Sequence, residues 1–313
     1  MKYDIVCSTK NLSTEEWLKI RTLGIGGSDA GIIAGCNPYR SIFELWQEKR
    51  GEIPVKEEES EVIHFGKVLE DVVRKEFIQR TGLMVRKKNS ILRSKEYPFM
   101  IADLDGVVSE FDGTYSIFEA KTAIEFKNND WKNGEIPKAY QLQVQHYLAV
   151  TGFQKAYIAV LVGGNKFYWT EIYRDEQFIK MLVSMESHFW HCVREGEEPD
   201  VDASKATSLY LGAKYNNAKV GSVIDLDEQM LSAIEKYEQI KVELDSLTEQ
   251  KQLIENQLKS ALAENEAGRV GGHIVKWKPI VQTRIDSNKL KKEHKEIYDA
   301  CKKEVSYRKF SVA

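Results

Sequence analysis

Two apolar runs separated by one short polar gap constrain the fold of this chain most. The runs are PFMIADLDGVV (residues 98–108) and YSIFEAKTA (residues 115–123), and the gap is SEFDGT. The gap contains the pair Asp112-Gly113, and Asp-Gly pairs favour the tight turns that join antiparallel strands. The sequence therefore predicts a β-hairpin over residues 98–123.

Helical and strand patterns alternate around this hairpin. A second pair of strand-like runs, KAYIAVLVGG and KFYWTEIYR, follows at residues 155–174. Ser13 and Glu16 have the spacing of a capping box, which marks the start of a helix. We expect an α/β (α+β) fold, a mixed sheet with helices packed against it. The predicted helices cover residues 13–23, 41–51, 62–82 and 137–152, and the acidic run KEEESE is expected to be a solvated loop or a helix start.

The composition changes after about residue 200, and three regions are expected. They are a core domain at residues 1–204, a connector with a long helix at residues 205–268, and a basic segment at residues 269–313. The basic segment has twelve Lys or Arg against five Asp or Glu, a net charge of +7. Because the whole chain has a net charge of −3, residues 1–268 carry a net charge of −10. This asymmetry indicates either contact with nucleic acid or a solvated lysine face. The segment's pattern predicts a short hairpin followed by a lysine-rich helix.

The long helix is predicted to begin at Asp225, with Glu228 completing a capping box, and to end at Gly268. Its apolar residues recur at three-four spacing, broken by Lys251 where an apolar residue is expected. Such a stripe is typical of a coiled coil, and it favours self-association, a docked partner or packing within the chain. A straight helix of this length is roughly 60 Å long, so it projects from the core or folds back as a hairpin. The stripe consists of Tyr237, Ile240, Leu244, Leu247, Ile254, Leu258 and Ala261.

Composition also argues against several classes of protein. No run of eighteen apolar residues is present, so no membrane span is expected. The first residues, MKYDIVCSTKNL, lack the apolar core of a secretory signal. The four cysteines are far apart and form no CxxC pair, which argues against disulfides and a zinc site. We therefore expect a cytoplasmic protein with reduced thiols.

A glycine-rich stretch, RTLGIGGSDAG (residues 21–31), raises the question of phosphate binding. A dinucleotide site needs its glycines between a strand and a helix, whereas these follow a predicted helix and miss the GxGxxG spacing. One interpretation is a tight turn between two helices, with Ser28 or Asp29 capping the second. The other is a helix N-terminus that binds a phosphate of nucleic acid, with Arg21 as a charged donor.

Asp105, Glu119 and Lys121 lie on the two strands of the predicted hairpin. Glu119 and Lys121 are two residues apart, so their side chains share one face, and the hairpin brings Asp105 beside them. Carboxylate oxygens are preferred ligands of Mg²⁺, which polarises a phosphodiester and lowers the pKa of a bound water. Lys121 would orient that water and stabilise charge on the phosphate. The pattern predicts a nuclease centre, and the alternative is the solvent face of a half-exposed strand.

The sequence resembles the PD-(D/E)XK nucleases, and within them the phage recombination exonucleases of the YqaJ and lambda exonuclease type. DLDG followed by FEAK is similar to their metal-binding core. RTLGIGGSDAG with NPYRSIFELW is similar to their N-terminal signature, FGKVLED to their acidic helix, and AYQLQVQHYLAVTG to their glutamine helix. The resemblance covers about residues 15 to 165, and it implies a restriction-endonuclease-like core with a mixed sheet flanked by helices.

The resemblance implies metal ligands beyond the side chains of Asp105 and Glu119. They are the backbone carbonyl of Ala120 and, through a water, Glu70. Glu70 lies on the apolar stripe of its predicted helix, where an unpaired carboxylate is costly, and a structural salt bridge to an arginine is the alternative. Gln143 is implied to lie next to the catalytic centre. The implied cofactor is Mg²⁺, and Mn²⁺ suits the same oxygen ligands.

Arg21, Ser28 and Tyr140 are the residues that the resemblance assigns to DNA, with Arg21 and Ser28 at the terminal 5'-phosphate. Asp103 stands where lambda exonuclease has a serine that helps to hold this phosphate. An acid repels a phosphate unless a cation intervenes, so a strong dependence on 5'-phosphorylated ends is not expected.

The implied function is a metal-dependent 5'-to-3' exonuclease that degrades one strand of linear double-stranded DNA. The 3' single-stranded tails would serve phage-type homologous recombination in a bacterial host cell. Implied partners are DNA ends, a single-strand annealing protein and further copies of the chain in a ring, for example a trimer. Two alternatives stay open: an endonuclease on the same fold, for restriction or junction cleavage, and a non-catalytic DNA-binding adaptor that works through the long helix and basic segment.

Overall fold

The computed structural model describes residues 2–55, 60–219, 221–303 and 307–312, so most of the acidic run lies outside the described residues. The chain forms two compact units, of which the first ends at Lys214 and the second begins at Tyr215. This boundary differs from the one expected at residue 204, because the intervening helix belongs to the first unit. There Tyr210 stacks on Phe43, with the ring centroids 5.0 Å apart.

The first unit is built on a five-stranded mixed sheet. The predicted hairpin is present, with Val107 paired to Ile117 in antiparallel register. The next strand lies parallel to the second hairpin strand, with Lys121 beside Val160, and an antiparallel edge strand follows it. The expected mixed sheet with flanking helices is therefore confirmed. In sheet order the strands are β2 (Met84–Arg86), β5 (Gly106–Ser109), β6 (Tyr115–Ala123), β7 (Lys155–Val162) and β8 (Lys166–Tyr173).

A separate three-stranded sheet divides the first run of the predicted hairpin. Its order is β1 (Tyr3–Ser8), β3 (Ser90–Ser94) and β4 (Ile101–Asp103). β4 pairs with β3, whereas β5 pairs with β6 in the larger sheet. Asp105 therefore lies on the link between β4 and β5, and the prediction that it lies on a hairpin strand is wrong. Gly106 is needed directly after it, because a Cβ there would lie 2.7 Å from Val85 Cγ1.

The helix starts of the first unit confirm one predicted cap and correct another. The hydroxyl of Ser13 accepts a hydrogen bond from the N–H of Glu16, as the capping box predicts. The second helix begins after Gly26 and includes both Ser28 and Asp29, so neither is its N-cap residue. Asp29 nevertheless contributes to the cap, because its Oδ2 accepts a hydrogen bond from the N–H of Gly26 at 2.9 Å. The helices are α1 (Thr14–Arg21), α2 (Gly27–Ile33), α3 (Ile42–Lys49), α4 (Glu61–Thr81), a 3₁₀ stretch (Glu125–Gly134), α5 (Lys138–Thr151), α6 (Glu176–Glu195) and α7 (Lys205–Lys214).

Helix α5 lies in the interior of the first unit. Every residue from Leu142 to Thr151 is buried, and the helix packs against α2, α6 and both sheets. Val144 and Leu148 are fully buried in one apolar cluster with residues of β3, β4 and β6. This packing also takes four polar side chains of α5 out of solvent, namely Gln143, Gln145, His146 and Thr151.

The second unit contains the long helix α8 (Gln229–Leu262). Both predicted ends of this helix are wrong. It begins after Glu228, with no side-chain cap, and it ends before Ala263, whose φ of 48° interrupts the helical backbone. The chain then forms the predicted hairpin, and two short helices replace the single one expected. These elements are β9 (Ala267–Val270), β10 (His273–Lys276), α9 (Ser287–Glu293) and α10 (Lys295–Cys301).

Among the described residues, no helix is long and apolar enough to cross a membrane. All four cysteines are free thiols, namely Cys7, Cys36, Cys192 and Cys301.

Candidate active site

A cavity of about 580 Å³ opens between the two sheets and helices α1, α2, α4 and α5. The glycine stretch, the acidic helix α4, the link to β5, strand β6 and the polar face of α5 all contribute to its wall. The structure therefore brings every site residue named from the sequence into one place, while their chemical roles stay predictions. These residues are Arg21, Ser28, Glu70, Asp105, Glu119, Ala120, Lys121, Tyr140 and Gln143, and Asp103 joins them.

Asp105 occupies the cavity wall where the chain passes from one sheet to the other. Its Oδ2 accepts a hydrogen bond from the N–H of Ala120 at 2.8 Å, which fixes the carboxyl against β6 between Glu119 and Lys121. Burial and the nearby Glu119 carboxylate raise the pKa of Asp105 to about 7. The site thus disfavours the negative charge of Asp105 unless a cation compensates it.

Glu119 is the most enclosed acid of the cavity, with only 2% of its surface exposed. Its Oε1 accepts hydrogen bonds from Lys121 Nζ at 2.5 Å and from Gln143 Nε2 at 2.7 Å. Burial raises the pKa of Glu119, and the charge of the Lys121 ammonium partly offsets this rise. The expected same-face arrangement of Glu119 and Lys121 is present, and it faces the cavity rather than solvent.

The second carboxylate oxygen of Glu119 lacks a compensating group. Within the described part of the chain, Oε2 is buried and accepts no hydrogen bond. Buried polar atoms are satisfied in most proteins, and an orphaned carboxylate oxygen costs about 1–3 kcal/mol. A bound ion, an ordered water, local strain or a catalytic role accounts for such atoms in native proteins.

Lys121 carries the only ammonium seen to contact Glu119 among the described residues. Its Nζ also lies 4.9 Å from the ring centroid of Tyr140, a cation–π contact, and Tyr140 stacks on Trp131 at 5.4 Å. Burial alone would lower the pKa of Lys121, but Glu119 and Asp105 raise it above its ordinary value. Lys121 is therefore charged at neutral pH and is held in place from two sides.

Glu70 faces the cavity from α4 but is less enclosed, with 28% of its side chain exposed. Its Oε1 lies 3.3 Å from Lys87 Nζ, so its ion-pair partner is a lysine and not the arginine considered from the sequence. Lys87 also contacts Asp71 at 2.8 Å. Burial and the charge of Asp105 nevertheless raise the pKa of Glu70.

Arg21 and Ser28 meet at the cavity end of the glycine stretch. Arg21 Nη2 donates to Ser28 Oγ at 2.7 Å and to Asp29 Oδ1 at 3.2 Å. Lys49 donates to the other oxygen of Asp29 at 2.6 Å, deep in the protein. Burial alone would raise the pKa of Asp29, but Lys49 and Arg21 hold it well below its ordinary value. This buried network fixes one edge of the Arg21 guanidinium beside the cavity.

Asp103 is held by a contact that the sequence did not suggest. The indole N–H of Trp17 donates to Asp103 Oδ2 at 2.8 Å, and the Arg21 guanidinium lies 4.9 Å from the Trp17 ring centroid. Burial raises the pKa of Asp103, although Trp17 and Arg21 oppose this shift. The acid at this position is therefore built into the same wall as Arg21.

The glycines of the RTLGIGGSDAG stretch permit close packing of α2 on α5. A Cβ at Gly27 would lie 2.4 Å from Tyr147 Cε1 and 3.1 Å from Gln143 Cγ, and a Cβ at Gly31 would lie 3.2 Å from that of Ala139. Tyr147, which the sequence did not assign to the site, accepts a hydrogen bond from Gln143 Nε2 at 3.1 Å. Small residues on α2 thus set the position of Gln143 and hence of Glu119.

We expect Gly27→Ala to lower the free energy of unfolding by about 1–3 kcal/mol, because the added methyl overpacks the buried Tyr147 ring. Thermal unfolding measures this change. Gly212→Ala is the matched control, since Gly212 lies in helix α7 and a Cβ there meets nothing within 4 Å. The control should be neutral or stabilising, by up to about 1 kcal/mol. Equal melting temperatures for the two variants would contradict the packing role of Gly27.

Comparison with known proteins shows the family of this chain. Residues 16–154 match the family described as the YqaJ-like viral recombinase domain. The uncharacterized protein YqaJ of Bacillus subtilis (strain 168) is 41% identical over 312 residues, which cover 99% of this chain and 97% of that protein.

Two solved structures show a more distant similarity. The alkaline exonuclease LHK-Exo of Laribacter hongkongensis has 21% identity and a TM-score of 0.48, over 59% of this chain and 95% of that one. A phage-related exonuclease from Haemophilus somnus has 14% identity and a TM-score of 0.41, over 57% of this chain and 99% of that one. The domain match and the full-length relative confirm the resemblance found in the sequence: this chain belongs to the YqaJ family.

Proposed function

We propose that this chain is a metal-dependent deoxyribonuclease whose active site is the cavity around Glu119. The observation that carries the proposal is the buried, unpartnered Oε2 of Glu119 beside Asp105, with Lys121 and Gln143 on the other oxygen. A bound cation would stabilise the charged forms of these two carboxylates, and a fixed ammonium suits the charge that develops on a phosphate. The family description as a viral recombinase domain supports DNA as the substrate.

The donor set fits Mg²⁺. The described residues contain no group of three or more acidic, histidine or cysteine side chains that could hold a metal ion by itself. Mg²⁺ does not require one, because it keeps several waters and binds through one or two carboxylates together with substrate phosphates. Asp105 and Glu119 would be the direct side-chain ligands, with the carbonyl of Ala120 and a water held by Glu70 as further donors. Mn²⁺ suits the same oxygen atoms.

The bound ion would supply Lewis-acid polarisation of the scissile phosphodiester and a water of lowered pKa. The protein side chains then have separate tasks. Lys121 stabilises the charge on the phosphate and orients the attacking water through its remaining N–H groups. Gln143 fixes the orientation of the Glu119 carboxylate through Oε1 and leaves Oε2 without a protein donor. A cation beside Asp105 favours its carboxylate form again, because opposite charges lower the pKa of an acid.

The polarity and the product belong to the same proposal. Arg21 and Ser28 would receive the 5' end of one strand at the far end of the cavity, and Tyr140 would contact the DNA beside Lys121. Digestion then proceeds 5' to 3' on linear duplex DNA and leaves 3' tails for a single-strand annealing protein. Contacts to the DNA backbone carry no sequence information, which suits an enzyme that must digest any sequence. Homo-oligomerisation, as a ring, is part of this proposal.

Asp103 sets the expected response to the chemistry of the DNA end. Its carboxyl lies in the wall next to Arg21, and part of the Arg21 charge is already neutralised by Asp29. We therefore infer that 5'-hydroxyl and 5'-phosphate ends are both digested, without the strong dependence on phosphate that a purely cationic site would give.

Digestion of linear and covalently closed circular duplex DNA with Mg²⁺ tests the proposed reaction. We expect the linear form to be degraded from its 5' ends, which a label on each end in turn reports, and the circle to stay intact. Cutting of the circle would favour the endonuclease alternative. DNA binding without cleavage of either form, lost on removal of residues 269–313, would favour the non-catalytic adaptor.

A further inference from the structure

The apolar stripe of α8 is exposed along nearly its whole length. Its large side chains are 40–59% exposed, and Leu262, at the end of the helix, is the only buried residue of α8. Near the first turn of the stripe the ring of Phe310 lies edge-on to Tyr237, with centroids 5.9 Å apart. The stripe spans residues 237–261, about 36 Å of helix. An exposed apolar surface of this length and regularity indicates a protein interface.

The spacing of the stripe is the same read in either direction. Its members follow one another at steps of three, four, three, four, three, four and three residues when Lys251 is included. An antiparallel partner with the same sequence can therefore match every position of the stripe at once. In that register Tyr237 faces Ala261, Ile240 faces Leu258, Leu244 faces Ile254, and Leu247 faces Lys251 of the second copy.

Lys251 distinguishes the two possible orientations. Its side chain is 79% exposed, so it has room to lie along a partner. In a parallel pair, Lys251 would face Lys251 of the other copy in the seam, where two like charges are destabilising. In the antiparallel pair, its aliphatic stem packs on Leu247 while its ammonium reaches solvent.

The charges that flank the stripe favour the same orientation. Antiparallel pairing places Lys241 beside Glu255 of the second copy, twice by symmetry, and places Gln250 beside itself. Parallel pairing would instead place Lys236 beside Lys241 of the second copy. Flanking charges of this kind set partner choice and orientation in coiled coils.

We propose that α8 pairs with α8 of a second copy of this chain, as an antiparallel two-stranded coiled coil centred between Leu247 and Lys251. The occupant of the stripe is thus another molecule of the same protein, chosen by a self-complementary pattern of apolar and charged residues. The pairing is independent of the proposed nuclease activity, and it joins two chains whatever contacts their first units make.

Sedimentation equilibrium of the full chain tests the pairing. Leu244→Glu/Ile254→Glu places two glutamates against each other at both symmetric positions, and we expect it to halve the mass of the wild-type assembly. Val242→Glu/Leu253→Glu is the matched control, because these exposed residues lie off the stripe and the changes in charge and apolarity are the same. Circular dichroism should show equal helix content in both variants. Equal masses for wild type and both variants would overturn the proposal.

Charge exchange tests the orientation. Lys241→Glu and Glu255→Lys should each raise the dissociation constant roughly tenfold, because two attractive contacts become repulsive. An equimolar mixture of the two single variants should recover wild-type affinity, since the contacts between unlike variants are attractive again. A parallel pair predicts the reverse for Lys241→Glu, which would then attract Lys236 and tighten association. That result would overturn the antiparallel arrangement.

Discussion

We expect Lys121→Met to lower the rate of DNA hydrolysis by about 10²–10³-fold while DNA binding is retained. Methionine replaces the aliphatic stem of the side chain but removes the ammonium that contacts Glu119 Oε1 and lies over the Tyr140 ring. The charge that develops on the phosphate then loses the ammonium proposed to stabilise it. Single-turnover digestion of linear duplex DNA measures the rate, and fluorescence anisotropy of labelled DNA measures binding.

Lys166→Met is the matched control for this experiment. Lys166 also pairs with a glutamate, Glu125, but it lies at the start of β8, outside the cavity wall, and is partly exposed. Its replacement should leave the rate within about twofold of wild type, because exposed ion pairs contribute little. A normal rate for Lys121→Met, or an equal loss in both variants, would contradict the role assigned to Lys121.

The second large effect, on stability, is expected when His146 is replaced. This residue has no predicted chemical role. His146 and Glu186 are both fully buried, with Nδ1 of the imidazole 2.8 Å from Oε1 of the carboxylate. Nε2 of the same ring lies 2.9 Å from the carbonyl oxygen of Ile101. Both ring nitrogens therefore face acceptors, which favours the doubly protonated imidazolium. Burial alone would lower the pKa of His146, but Glu186 raises it above its ordinary value.

We expect His146→Leu to lower the free energy of unfolding by about 3–5 kcal/mol, since it leaves the buried Glu186 unpaired. The melting temperature should fall by about 10 °C. The double variant His146→Leu/Glu186→Leu should recover much of this loss, because an apolar pair carries no desolvation cost. Differential scanning calorimetry measures all of these changes.

His188→Ala provides the control, because it breaks a histidine–carboxylate contact that is exposed to solvent. Its imidazole lies 3.2 Å from Asp200, and the two side chains are 61% and 92% exposed. The free energy of unfolding should change by less than about 1 kcal/mol. If His146→Leu were no more destabilising than His188→Ala, the buried pair would not carry the stability assigned to it.

The sequence predicted those parts of the fold that depend on local patterns. The turn at Asp112-Gly113 and the capping box at Ser13 depend on neighbours in the chain. For the same reason the shared face of Glu119 and Lys121 followed from a spacing of two residues. No local pattern relates segments as distant as the glycine stretch, the acidic helix and the glutamine helix. Only the resemblance to a known family predicted that these segments lie around Glu119 and Lys121.

The errors arose where tertiary packing decides the structure. Asp105 leaves its strand because β4 and β5 belong to different sheets, and no periodicity within one apolar run signals a change of partner. The partner of Glu70 is Lys87, which lies beyond the end of α4 and becomes its neighbour only in the folded chain. Helix α8 is shorter than predicted because Gly268 pairs in a hairpin instead of ending the helix.

Cleavage of linear duplex DNA by the wild-type protein, measured side by side with Mg²⁺ and with EDTA, tests the proposed metal-dependent nuclease centre most directly. We expect degradation with Mg²⁺ and intact DNA with EDTA, because the carboxylates of Glu119 and Asp105 are proposed to hold the cation. Equal degradation in both samples, or intact DNA in both while the protein binds it, would contradict a metal-dependent nuclease centre in this cavity.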